Sequence, residues 1–339
     1  MAFHMGVLEY LAEKDWLDRV VRISTVSGGS LVTGLVFAVN GGKWPTSLSE
    51  FIQVHDKVRA LMCSKSLVWA AAAYLLWPLN WRFLLSRANL IERAIRRSWG
   101  VQKHLDELPQ VPVWSINGTA AEDGKRFRFK LDGMGDYAMG YAKVRVRVSM
   151  AMAVSAAFPG GIGPFTITTS KYTWMKRASW DAPQSSEQIV NVPFKKLHLY
   201  DGGVYDNLGL ESLFDVGKGT SKYGNDVIIV SDAGAPLERG FSLWALNPFR
   251  FKRVSDIMSD QNRALRVRPL VEHIKTSRIG AYLQMDNALI PRASSTDAEL
   301  TCSFKTSLRK LSLAQFDAMA RHGRAVAAAV DGKFPFGIR

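Results

Sequence analysis

Hydrophobic positions fall at helical spacing from the start of the chain. Phe3, Val7, Leu8 and Leu11 share one stripe and predict a helix, which residues 15–18 interrupt. Val20, Val21, Ile23, Thr25 and Val26 then form a β-branched run that stops at Ser27-Gly28-Gly29-Ser30. Residues 31–39 are apolar and helix-compatible, so the order is strand, tight turn, helix. A second helical pattern occupies residues 48–61. Residues 66–81 are the most apolar passage, and residues 87–99 form an amphipathic helix with Arg93, Arg96 and Arg97 on its polar side.

Strand patterns dominate the middle of the chain. Residues 111–131 predict two strands joined at Glu122-Asp123-Gly124. Residues 144–149 predict a third, with Val144, Val146 and Val148 inward and the cations in water. A short helix follows from Ala151 and is stopped by Pro159 and Gly160-Gly161. Residues 166–192 carry no clear period and read as a surface excursion. Asp206 and Asn207 read as caps of a helix over 208–214. Residues 227–230 predict a short buried strand, and beyond Phe251 the pattern is helix-rich with a strand-like interlude at 279–285. Strands alternating with helices point to an α/β sheet with function at its strand ends. No internal repeat or linker divides the chain.

Composition changes this picture in two places. The 339 residues are 47% hydrophobic and 22% charged, ordinary values for a globular chain with a substantial core. The formal net charge of +14 favours an anionic partner. No Cys/His finger or aromatic nucleic-acid strand accompanies the charge, so an anionic membrane surface fits better than nucleic acid. The two cysteines, Cys63 and Cys302, match no metal or redox spacing. Pro78 and the short length of 66–81 argue against a transmembrane helix. A buried core helix and a lid that dips into a bilayer surface both remain open. The lid better fits Trp69, Tyr74, Trp77 and Trp81 beside the basic flanks Lys65, Arg82 and Arg87. No signal peptide is visible, which favours a cytoplasmic or peripheral-membrane location.

The candidate chemistry sits at the ends of strands. A serine between a buried strand and a helix is held out of the sheet, the geometry of a nucleophile elbow. Gly29 lies two residues after Ser27, but Thr25 stands two before it, where glycine is usual. The competing reading is a Gly-Ser turn, with Ser27 or Ser30 as a helix cap. Asp201 precedes Gly202-Gly203, which puts a carboxylate on a loop that backbone can approach closely; aspartate there is also a common turn former. Asp232 is a second acid at a strand end. None of the six histidines, His4, His55, His104, His198, His273 and His322, lies in a telling motif.

Together these elements resemble the patatin-like phospholipase family. The shared marks are Ser27 in T-V-S-G-G-S, Asp201 in D-G-G followed by Y-D-N-L-G, and Ser155-Ala-Ala-Phe-Pro between them. The segment from Asp256, D-I-M-S-D-Q-N-R, also looks like a family helix. The resemblance implies a three-layer α/β/α sandwich with a central mixed sheet. It further implies one domain over 1–339, with a motif-bearing core over about 1–235, a lid-like insertion over about 60–100 and a helix-rich part over about 250–339. It implies a Ser27–Asp201 dyad that cleaves phospholipid or other glycerolipid esters at a membrane surface, with no cofactor or metal. Gly28, Gly29 and Gly202 would support the elbow and the oxyanion, with the Gly28 and Gly29 amides at the helix start. A histidine base, a lipid acyltransferase and a catalytically weak membrane-binding protein are the rival expectations. The family's glycine-rich oxyanion loop and its preceding strand have no counterpart before Ala2-Phe-His-Met-Gly, so Met1 reads as an internal methionine of a longer protein.

Overall fold

The apolar stripe of the first residues becomes α1 (Ala2–Glu13), which buries Phe3, Val7 and Leu11. Asp15, at a φ of 54°, breaks the chain before β1 (Arg22–Thr25) and α2 (Gly28–Val39). Then come α3 (Leu48–Ser64), α4 (Leu67–Tyr74) and α5 (Ala88–Ser98). The strands β2 (Val113–Ala120), β3 (Arg126–Lys130), β4 (Gly133–Asp136) and β5 (Gly140–Ala142) precede α6 (Val148–Ser155). After them lie β6 (Phe165–Thr168), β7 (Trp174–Lys176), β8 (Gln188–Val190), β9 (Lys196–Asp201) and the single turn α7 (Gly203–Asp206). The remainder holds β10 (Phe214–Asp215), β11 (Thr220–Ser221), β12 (Ile229–Asp232), α8 (Asn247–Ser277), β13 (Ala281–Gln284), α9 (Thr296–Ser303) and α10 (Leu313–Lys333). This computed structural model describes residues 1–179, 182–224, 227–235, 237, 240–241 and 247–338.

Two units organise the chain. The first comprises Met1, Leu11–Tyr205 and Thr306–Phe316; the second comprises Ala2–Tyr10, Asp206–Lys305 and Asp317–Arg339. The first unit contains a nine-stranded sheet in the order β6-β9-β2-β3-β4-β5-β7-β8, with β1 parallel to β2 and every other pair antiparallel. The α/β fold with a mixed sheet is therefore present, although the sheet is mainly antiparallel. One edge of β2 carries two partners in succession. β1 pairs along residues 113–116, and β9 pairs along residues 118–120.

Against β2 packs α6, so closely that a Cβ on Gly118 would lie 2.8 Å from Val154 Cγ1. α2 meets α6 at Gly34, where a Cβ would lie 2.3 Å from Met152 Sδ. Glycine is needed at both positions because larger side chains would force the layers apart. Phe37 stacks on Trp114 at 5.2 Å and ties α2 to β2. In the second unit, Leu210, Phe214, Ile228, Val230 and Leu270 form a separate core around the parallel pair β12–β13.

Three sequence expectations are corrected. Residues 144–147 do not join the sheet; they form one isolated bridge, His104↔Arg147, and bond to the turn at 103–105 through Val146 O and the Val148 amide. Val146 and Val148 still point inward, so the alternation read from sequence is real but its partner is a turn. Residues 166–192 are not a surface excursion throughout, since they contribute most of β6 and all of β7 and β8. These strands run three or four residues, too short for periodicity to register. The helix expected over 208–214 shrinks to a 3-10 turn, Leu210–Ser212, because Gly209 adopts a φ of 65°. Asp206 nevertheless behaves as a cap, accepting the Leu208 and Glu211 amides at 3.1 and 2.8 Å.

Candidate active site

Val26 and Ser27 connect β1 directly to α2, leaving no room for a relaxed turn. Ser27 takes φ 50° and ψ −123°, a conformation that costs a residue with a Cβ about 1–3 kcal/mol. Its side chain makes no cap hydrogen bond to the helix, so the capping role considered for it is not the one it plays. The hydroxyl lies close enough to the Asp201 carboxyl to pull against the effect of burial on its pKa. That proximity follows from the sheet. β1 runs parallel to β2 and ends with Thr25 opposite Ile116, while β9 runs antiparallel and ends with Asp201 opposite Gly118. Two strand ends therefore approach each other head-on along one edge of β2, with Asn117 at the gap.

The end of α6 clamps both residues by their backbones. The Ser27 amide donates to Ser155 O at 3.0 Å and lies 3.1 Å from Ser155 Oγ. The Asp201 amide donates to Ala157 O at 3.0 Å, and Asp201 O accepts from Thr119 Oγ1 at 2.9 Å. The Ser155-Ala-Ala-Phe-Pro passage thus holds the elbow and the acid in one register. Gly202 allows the acid's loop to lie against β2, because a Cβ there would stand 2.4 Å from Asn117 O.

Beneath the elbow runs a buried polar chain. Ser155 Oγ donates to Asn117 O at 2.7 Å, and Ser30 Oγ bonds Ser155 Oγ at 2.8 Å. Ser30 also donates to Thr25 Oγ1 at 2.8 Å, which accepts the Trp114 indole N–H at 2.9 Å. The Asn117 amide group donates to Ser24 Oγ and Thr25 O, both at 3.0 Å. Thr25, the departure from glycine, is therefore the acceptor that satisfies a buried indole. Ser30 works inside this chain rather than as a cap.

Asp201 is 4% exposed. Burial pushes its carboxyl up from 3.8 to about 7, against the opposing pull of the Gly203 amide at 2.8 Å and the Ser27 hydroxyl. A carboxyl raised that far can exchange a proton near neutral pH, a property suited to acid–base chemistry. At the helix start, the Gly29 amide already donates to Val26 O at 2.9 Å. The Gly28 amide makes no hydrogen bond among the described residues and lies next to Ser27 in sequence.

The histidines of the first unit are engaged elsewhere. His198 bonds Glu122 Oε1 at 2.7 Å and, three residues before Asp201 on β9, faces the opposite side of the sheet. His104 bonds Glu107 at 2.9 Å, and His55 packs between Phe51 and Phe316. Asp232 belongs to the second unit, where it accepts from Tyr282 Oη at 2.6 Å, the Gly234 amide at 2.8 Å and Arg263 at 3.4 Å. It is a structural ion-pair residue at its strand end.

Sequence reading missed Thr25, Ser30, Asn117, Thr119 and Ser155 as working parts. A usable signal existed in Ser115-Ile-Asn-Gly-Thr119, where polar residues interrupt a strand that is otherwise buried. No curated protein matches the chain. The profile of the Patatin family, described as patatin-like phospholipase, matches residues 1–214 and so spans the elbow, the α6 clamp and Asp201 together. By that match, the chain belongs to the patatin-like phospholipase family, a family of lipid acyl hydrolase type.

Proposed function

We propose that this protein is a serine lipid acyl hydrolase that cleaves carboxylic esters of phospholipids or other glycerolipids at a membrane surface. The observation carrying this reading is a strained elbow serine at the end of β1 set against a buried carboxyl at the end of β9, on one edge of β2, with burial raising that carboxyl to about 7. Ser27 Oγ attacks the ester carbonyl while the Asp201 carboxylate takes its proton. The tetrahedral oxyanion forms beside the start of α2, where the Gly28 amide is available and the helix dipole favours negative charge. Collapse expels the alcohol, which takes the proton from Asp201, and leaves an acyl group on Ser27. Asp201 then removes a proton from water, hydroxide attacks the acyl carbonyl, and the proton returns to Ser27 as the acid departs.

Asp201 suits both half-reactions because its oxygens cannot drift. The backbone is pinned at N–H and C=O, and the carboxyl is oriented by the Gly203 amide. Proton transfer of this kind contributes about 100- to 10,000-fold in rate. The test is labelling by a fluorophosphonate, which reports an activated serine without needing the natural lipid. Labelling of the wild type is expected, with none in Ser27→Ala and a loss of about 100-fold or more in Asp201→Asn. A folded wild type that takes no label would overturn the hydrolase reading and favour a membrane-binding protein without turnover.

A further inference from the structure

The lid-like passage presents its apolar residues outward. Leu76, Trp77, Leu79, Trp81, Leu84 and Leu85 are all exposed, Leu76 by 86% and Leu85 by 88%. They cluster within ten residues, between the end of α4 and the start of α5. A loosely folded hydrophobic loop would bury such residues in itself, but this segment is built to hold them out. Asn80, only 6% exposed, turns inward, donating to Tyr74 O at 2.7 Å and accepting from Arg93 at 2.6 Å. Trp81 Nε1 donates to Leu75 O at 2.9 Å, and the Leu84 and Ser86 amides donate to Trp81 O and Phe83 O at 3.0 and 2.9 Å. The polar groups are satisfied within the knuckle while the hydrocarbon faces out, which is what a backbone entering lipid requires.

Charge selects the kind of surface. From residue 57 to residue 91 the chain contains no Asp or Glu, while Lys65, Arg82 and Arg87 bracket the apolar residues and are exposed. Arg309 lies 6.0 Å from the Trp69 ring and follows Leu308, whose carbonyl accepts the Leu67 amide at 3.1 Å. Exposed tryptophans beside cations match the interfacial zone of a bilayer with anionic headgroups.

The knuckle is also joined to the site. Ser86 Oγ bonds Pro164 O at 3.1 Å and Arg87 bonds Gly161 O at 3.4 Å. Residues 161–164 continue from Phe158, itself exposed, and from Ala157, whose carbonyl holds the Asp201 amide.

Deepening the lipid hydrolase reading, we propose that residues 74–87 form a rigid docking knuckle. Leu76, Trp77, Leu79 and Leu85 enter an anionic bilayer, and Arg82 and Arg87 rest on its headgroups. Docking there brings the Ala157–Asp201 edge of the site to the lipid.

The test is co-sedimentation of the full chain with phosphatidylcholine vesicles that do or do not contain phosphatidylglycerol. The proteins compared are the wild type, Trp77→Ser/Leu85→Ser and Arg82→Gln/Arg87→Gln. Binding to the anionic vesicles is expected, weakened roughly tenfold or more for each apolar substitution and about fivefold for each arginine. Added salt should weaken the wild type but not rescue the variants. Equal binding by wild type and the apolar variant would overturn the proposal. So would a wild type that ignores vesicles, or a wild-type dimer, seen by light scattering, that only the apolar variant loses. Fluorophosphonate labelling separates this from the hydrolase reading, since Trp77→Ser/Leu85→Ser, which leaves the Ser86 and Arg87 bonds to residues 161–164 in place, should label normally. Normal labelling with unchanged vesicle binding sinks the knuckle alone; absent labelling with knuckle-dependent binding sinks the hydrolase alone.

Discussion

Asp201→Asn should stabilise the fold in a pH-dependent way while it removes activity. Burial raises the carboxyl from 3.8 to about 7, so the folded chain holds its proton more tightly than the unfolded chain throughout that interval. The stabilisation tied to this group is complete below pH 3.8 and disappears as pH rises through 7. At 1.36 kcal/mol per pH unit, the full effect is roughly 4 kcal/mol. Asparagine is neutral at every pH and escapes this loss, but its new N–H donors have no acceptor prepared for them. An unsatisfied donor costs about 1–3 kcal/mol, leaving a net gain of about 2 kcal/mol at alkaline pH. Urea unfolding of wild type and variant, near pH 5 and near pH 8, measures this directly. The variant should gain on the wild type between the two conditions. The kcat/KM profile of the wild type should fall tenfold per pH unit below about 7. Parallel stability curves for the two proteins, or a rate profile flat from about pH 5 to 8, would refute an elevated Asp201.

Three other perturbations probe the elbow and its support. Ser27→Gly should unfold at higher urea than Ser27→Ala, by about 1 kcal/mol, because glycine relieves the strained φ despite its entropic disadvantage. Thr25→Val keeps the shape but leaves the Trp114 indole without its acceptor, and calorimetry should show a loss of about 1–3 kcal/mol. In Gly202→Ala the new Cβ collides with Asn117 O, so ester turnover should drop about 100-fold as Asp201 shifts, even where circular dichroism shows a folded chain.

Much of this was legible in the residues, though not evenly. The β-branched run and the Ser-Gly-Gly stop located the elbow, because a strand that ends abruptly before a helix leaves few geometries. Asp201 was legible as a strand-end acid, and its link to Ser27 came from family resemblance. What sequence could not supply was adjacency across the sheet. That Asn117 lies between the ends of β1 and β9 depends on pairing, which no local pattern encodes. The apolar 66–81 passage shows another limit. Periodicity reports which residues are hydrophobic, but only the inward bonds of Asn80 and Trp81 decide that the side chains face out. The short strands β7 and β8 went unread because three residues are fewer than two repeats of a strand's period.

The shared edge of β2 has a consequence for how this scaffold tolerates remodelling. Ser27 arrives by one strand and Asp201 by another, and each stops against the same rail, so their spacing is fixed by ladder register and not by the length of chain between them. Extra residues added to the hairpins between β3 and β8 alter the perimeter and leave the Ser27 and Asp201 side chains in place. A one-residue slip of β9 along β2 would carry the carboxylate to the other face of the sheet. Such a chain can acquire new surfaces for new substrates by insertion, while its chemistry stays locked to a single backbone ladder.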